Sequence, residues 1–165
     1  MRLKEDSVEL SLSNVDSIEL IKAALEKGVS LRFRAGGFSM RPFIRNGDIL
    51  TISPLTRELT IGLGRVVAFI HPLSRKLVIH RVIDRRRASC MIKADNALKP
   101  DGLVSRDNIL GYVSKVERKG KIIILGLGFE RYFIALLSRS LPVFPLLLLL
   151  WRYPRRFLIK IKGAG

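Results

Sequence analysis

Between residues 29 and 125 the chain is a succession of short apolar runs separated by turn-forming residues, and this pattern constrains the fold more than any other feature. Residues 29–33 alternate apolar and polar side chains, as a strand with one buried face does. Further runs at 49–52, 66–70, 77–83, 89–93, 109–117 and 122–125 also read as strands. Ser53-Pro54 closes the second run, and 56–64, which includes Gly62, reads as a loop. His71-Pro72-Leu73-Ser74-Arg75-Lys76 has the composition of a hairpin connection. Residues 84–87 and Arg118-Lys119-Gly120-Lys121 are charged turns expected to face solvent, and 94–107 is a polar loop. Many short strands joined by turns predict a mainly β domain.

The flanks differ from this core. Residues 14–27 carry Val15, Ile18, Ile21 and Leu25 at helical spacing, with Ser13, Asn14 or Asp16 to cap and Gly28 to stop. After Gly126 the composition turns apolar: 129–137 holds only Glu130 and Arg131 as charges before its end, and 141–151 is broken only by Pro142 and Pro145. A spanning helix needs about 20 apolar residues, more than this run provides. Residues 152–162 are basic, with Trp151, Tyr153 and Phe157 beside them, which suits a segment lying in a membrane interface. A buried helix pair or a subunit contact is the plainer alternative. The expected organisation is therefore an N-terminal polar segment and helix at 1–28, a β-rich domain at 29–125, and an apolar, basic, membrane-associating segment at 126–165. The polar start, Met1-Arg2-Leu3-Lys4-Glu5-Asp6, leads to the expectation that no signal peptide or anchor stands at that end.

Charge narrows the partners. The 165 residues include 30 Lys and Arg against 14 Asp and Glu, a net charge of +16, yet 48% are hydrophobic. Basic nucleic-acid binders are usually less apolar and place aromatics for stacking, so an anionic membrane surface fits better than nucleic acid. Cys90 is the one cysteine, so no internal disulfide forms. One Cys and two His do not make a four-ligand zinc site of the Cys/His type, and no cofactor or metal is expected.

The chemistry centres on Gly36-Gly37-Phe38-Ser39-Met40-Arg41-Pro42, followed by Gly47-Asp48. Two glycines and a proline place Ser39 on a tight irregular turn. The plain reading is a glycine-rich turn whose serine only caps. Nucleophilic catalysis needs such an exposed serine together with a base, because the hydroxyl is a poor nucleophile at neutral pH. His80 lies in Val78-Ile79-His80-Arg81-Val82-Ile83, and Asp95 and Asp101 lie in the loop beyond. Serine, histidine and carboxylate are a set that separated segments can supply. Lys76 and Lys93 are the alternative bases for a Ser-Lys pair, and His71 reads as a surface turn residue.

These segments resemble, in order and wording, the type I signal peptidases of the endoplasmic-reticulum and archaeal kind, which are related to the self-cleaving repressor peptidases. The family's Ser-Met-x-Pro with Gly-Asp is present as Ser39-Met40-Arg41-Pro42 and Gly47-Asp48. Its His-Arg-Val is present as His80-Arg81-Val82, and its Gly-Asp-Asn box with a second aspartate as Ala94-Asp95-Asn96 and Asp101-Gly102. The likeness covers about residues 31–116. It implies a signal-peptidase- or repressor-peptidase-like β-barrel or sandwich, to which the composition adds the N-terminal helix and an apolar helical C-terminal segment. It implies Ser39 as nucleophile, His80 as base, and Asp101 as the histidine's partner with Asp95 in the same hydrogen-bond network. It places the oxyanion at the Ser39 N–H and the turn before it at Gly37, with Phe38, Met40 and Pro42 meeting the substrate. The chain departs from the pattern at Gly37, where many relatives carry serine, at Gly64-Arg65 and at Ala94. The implied activity is a membrane-associated serine endopeptidase that cuts an exported or membrane-bound protein beside its hydrophobic segment. The rivals are an inactive peptidase-like domain that binds a peptide or lipid surface, and a Ser-Lys self-cleaving peptidase.

Overall fold

The computed structural model describes residues 15–56 and 61–140. Helix α1 (Val15–Glu26) comes first and ends where Gly28 and Val29 donate back to the Leu25 and Ala24 carbonyls. Its stripe of Ile18, Ile21 and Leu25 is buried with Phe33, Ile52, Ala68 and Leu77. The strands are β1 (Leu31–Arg34), β2 (Ile49–Pro54), β3 (Val66–Ile70), β4 (Leu77–Arg85), β5 (Ser89–Lys93), β6 (Gly102–Ser105), β7 (Ile109–Arg118) and β8 (Lys121–Ile122). Helix α2 (Arg131–Ser140) follows. The protein is thus mainly β, an eight-stranded sheet with a short helix at each end.

Every strand pairing is antiparallel, in the order β1-β2-β7-β3-β4-β5-β6, with β8 added to β7. The long β7 organises the sheet: its first half pairs with β3 and most of its length with β2. Buried side chains gather in three clusters. One lies under β3 to β6 around Phe69, Val82 and Ile92. The second lies beneath α1. The third joins Met40 and Ile44 to Leu50, Val66, Val113 and Val116.

Several boundaries differ from the sequence pattern. Strand β2 runs through Ser53-Pro54, because β1 pairs no further than Ile52 and proline is tolerated where a strand has a partner on one side. Strand β4 continues through Asp84 and Arg85, whose partners Met91 and Cys90 hold them in the ladder beyond a bulge. The polar loop at 94–107 contains β6, a strand whose one buried residue is Val104, so it has no apolar run to betray it. The last strand stops at Ile122, and Ile124 and Leu125 are exposed. The charged turn at Arg118 is not simply solvated, since Arg118 grips the buried Asp48 with two hydrogen bonds of 2.8 Å. The segments expected at 1–14 and 141–165, the interfacial tail included, lie outside the described residues. Among the described residues no helix is long and apolar enough to cross a membrane.

Candidate active site

The serine turn is built from its base upward. Ala35 donates to the Asp48 carbonyl and Gly47 to the Ala35 carbonyl, closing the loop between β1 and β2. Within it Gly37 has φ +80°, a conformation that side chains disfavour, and donates its N–H to Asn46 Oδ1. Asp48 fixes the far side, accepting from the Arg45 N–H and from Arg118. Burial works against its charge, but these hydrogen bonds outweigh burial and hold its pKa below the usual carboxylate value. Met40 is buried under the turn, and Ser39 is left exposed at its tip.

Strand alternation decides what faces that tip. His80 and Arg81 are successive residues of β4 and point to opposite faces. His80 Nε2 lies 3.1 Å from Ser39 Oγ, and His80 Nδ1 lies 2.8 Å from Asp101 Oδ2. Asp101 is placed by its own N–H, which donates to the Ile92 carbonyl as the chain enters β6. With the proton on Nδ1 donated to Asp101, Nε2 is left to accept the serine proton. This chain of contacts joins a hydroxyl, an imidazole and a carboxylate in the order that nucleophile activation requires.

Asp95 is elsewhere. It does not join the His80 network but pairs with Arg81, which is wholly buried. Arg81 Nε and Nη2 donate to the two Asp95 carboxylate oxygens at 2.7 Å each. Nη1 donates to the Gly64 carbonyl at 2.8 Å and the Gly126 carbonyl at 2.7 Å. A guanidinium on the core face needs an anion of matching geometry, and Asp95 supplies it. The next residue, Asn96, carries the connection to Ser39. Its N–H donates to the Ser39 carbonyl at 2.7 Å and its side chain to the Phe38 carbonyl at 3.3 Å.

The other expected residues divide. A cleft of about 230 Å³ runs from Ser39 and His80 between β1 and the first half of β4, over Phe33, Ala35, Ile44, Leu77 and Ile79. Gly37 and Met40 line it, whereas Phe38 and Pro42 do not. Phe38 is exposed beside it, with the Arg41 guanidinium 4.3 Å from its ring centre. The Gly37 N–H is taken by Asn46, so Gly37 serves the turn through its backbone angle. No described residue accepts from the Ser39 N–H. Lys93 pairs across the ladder with Arg81 and therefore shares its face, away from His80. Its ammonium donates to the Ser138 carbonyl at 2.7 Å, and burial lowers its pKa although Asp95 pulls the other way. Lys76 is exposed in the hairpin, and His71 accepts from the Ser74 N–H there.

The sequence reading missed the roles of Arg81 and Asn96. The available signal was a charge inside Val78–Ile83, where a core-facing arginine demands a buried partner. No protein-family model, curated protein or solved structure matches the chain.

Proposed function

We propose that the protein is a serine endopeptidase resembling type I signal peptidases, with Ser39 as nucleophile, His80 as general base and Asp101 as its orienting carboxylate. The observation that carries this reading is the continuous Ser39–His80–Asp101 contact at 3.1 and 2.8 Å. His80 takes the serine proton as Oγ attacks a peptide carbonyl, then returns it to the leaving amine. Asp101 holds the imidazole and stabilises its charged form. In this reading the Ser39 N–H, which no described residue engages, donates to the oxyanion. The β-barrel or sandwich of that family belongs to the same proposal.

The substrate is a protein or peptide bound extended, next to a hydrophobic segment. Its seat is the apolar cleft, along which residues 77–80 of β4 pair with β3 and not with β5. Such edges offer main-chain hydrogen bonds, and the small cleft favours modest side chains. A membrane surface is the expected setting, with the 126–165 segment as the contact. The placement of Lys93 on the other face of β4 and β5 supports histidine over lysine as base.

The test is a cleavage assay in lipid vesicles with a secretory precursor, comparing wild type, Ser39→Ala and His80→Ala. A single cut, identified by mass, that wild type makes and both variants lose is the expected result. A cut that survives in His80→Ala would overturn the triad. Absence of any cut by wild type would favour the peptide-binding alternative.

A further inference from the structure

Helix α2 buries Ile134, Ala135 and Ser138 against the body of the protein. Its other side is bare and apolar: Phe133 is 72%, Leu136 51% and Leu137 45% exposed, and Phe129 just before it is 90% exposed. Positions 133, 136 and 137 fall on one side of α2 at helical spacing. Ile122, Ile124 and Leu125, in the preceding stretch, are also exposed. Scattered exposed apolar side chains are ordinary, but this density in one stretch marks an interaction surface.

The seat of that surface is rigid. Lys93 donates to the Ser138 carbonyl, and Arg139 donates to Asp84 at 3.1 Å. Glu130 accepts from the Gly126 and Gly128 N–H groups, and Gly126 in turn accepts from Arg81. Gly64, with φ +78°, lies so close to the Arg131 carbonyl that no side chain fits between them. The helix is therefore fixed to β4 and β5, the strands that position His80 and the Asn96 clip.

What covers the face follows from charge and from the chain beyond Ser140. Residues 141–151 are all apolar, and Arg152, Arg155, Arg156, Lys160 and Lys162 follow with no acidic residue before the end. A second copy would bring another +16 against the first, which self-repulsion opposes. An anionic bilayer accepts both parts: apolar side chains enter the acyl boundary and cations meet the headgroups. We propose that the Phe133, Leu136 and Leu137 face of α2, extended by Phe129 just before the helix, docks on an anionic lipid bilayer and holds the Ser39 cleft at a set orientation to it. The docking rests on the membrane setting proposed for residues 126–165 and names the surface that makes the contact, but it needs none of the Ser39, His80 and Asp101 chemistry, so lipid binding and cleavage can fail separately.

The test uses the full chain carrying Ser39→Ala, sedimented with phosphatidylcholine vesicles with and without phosphatidylglycerol. Added variants are Phe133→Asp with Leu136→Asp, Phe129→Asp alone, and Leu73→Asp as control. Leu73 is 90% exposed at the hairpin before β4, the opposite end of that strand from Asp84. The expected result is binding to the anionic vesicles, weakened at least about tenfold by the double variant and severalfold by Phe129→Asp, and unchanged by the control. Circular dichroism checks that each variant is folded, and Phe129→Asp, outside the helix, carries the test if the double variant is not. Equal binding by folded variants and parent would overturn the proposal, as would no binding by the parent. A parent that is dimeric by light scattering, with monomeric variants and unchanged lipid binding, would assign the face to a second copy instead.

Discussion

Asp95 and Asp101 lie in one short loop, and changing each to alanine separates folding from chemistry. In Asp95→Ala both 2.7 Å hydrogen bonds to the carboxylate disappear, while the Arg81 guanidinium stays wholly buried on the Gly64 and Gly126 carbonyls. Removing one partner of a buried ion pair costs about 3–5 kcal/mol, because the remaining charge is uncompensated. Domain stabilities are about 5–15 kcal/mol in all, so the loss is a large share of the total. At about 2–4 °C per kcal/mol for a chain of this size, Tm falls by roughly 6–20 °C. Urea melts show a lower midpoint at unchanged slope. Replacing both residues, Arg81→Leu with Asp95→Leu, recovers part of the loss by removing the stranded charge. Asp101→Ala behaves differently. Its carboxylate is partly exposed and orients only His80, so stability changes by about 1 kcal/mol or less. Cleavage falls by up to about 10⁴-fold as the imidazole loses its orienting partner. An Asp95→Ala protein that melts within about 1 kcal/mol of wild type would refute the division of labour between the two carboxylates.

Two further outcomes follow from the same contacts. Lys93→Met keeps cleavage within about threefold while His80→Ala loses at least a hundredfold, measured on one precursor; loss of all cleavage in Lys93→Met would transfer the role of base to lysine. Asp48 has a folded pKa below its unfolded value of about 3.9. Its contribution to stability is therefore full above that value and drains away as pH falls through the lower, folded one. Urea melts between pH 5 and pH 2 should show a shallower acid loss in Asp48→Asn than in wild type, and equal slopes would mean that the Arg118 pair is not what acid breaks.

The strand runs at 66–70 and 89–93 coincide with β3 and β5 because their apolar residues are continuous and both ends carry turn chemistry. Helix α1 was legible for the same kind of reason, a clean apolar stripe with glycine after it. Strand β6 was not, because its partner β5 supplies the ladder while its own apolar residues are only Leu103 and Val104, too few to read as a run. At the site, order in sequence grouped Ser39, His80 and the two aspartates but was silent on which carboxylate faces which side chain. That choice is made by strand alternation and by where each carboxylate's loop crosses the end of β5. Asp101 arrives beside His80 through its bond to Ile92, whereas Asp95, just past β5, turns to the opposite face and meets Arg81.

The two faces of β4 therefore do different work through adjacent residues. On one, His80 meets an exposed serine and a partly exposed aspartate, the contacts on which the proposed peptidase chemistry rests. On the other, Arg81 gathers Asp95, Gly64 and Gly126, tying the loop after β5, the approach to β3 and the entry to α2 onto the same strand. Asn96 closes the circuit by holding the carbonyls of Ser39 and Phe38. A serine on a glycine turn between two strands has few contacts of its own to fix it. The buried arginine supplies that fixity from behind the sheet, so the serine can remain exposed at the cleft and still lie within hydrogen-bond reach of His80.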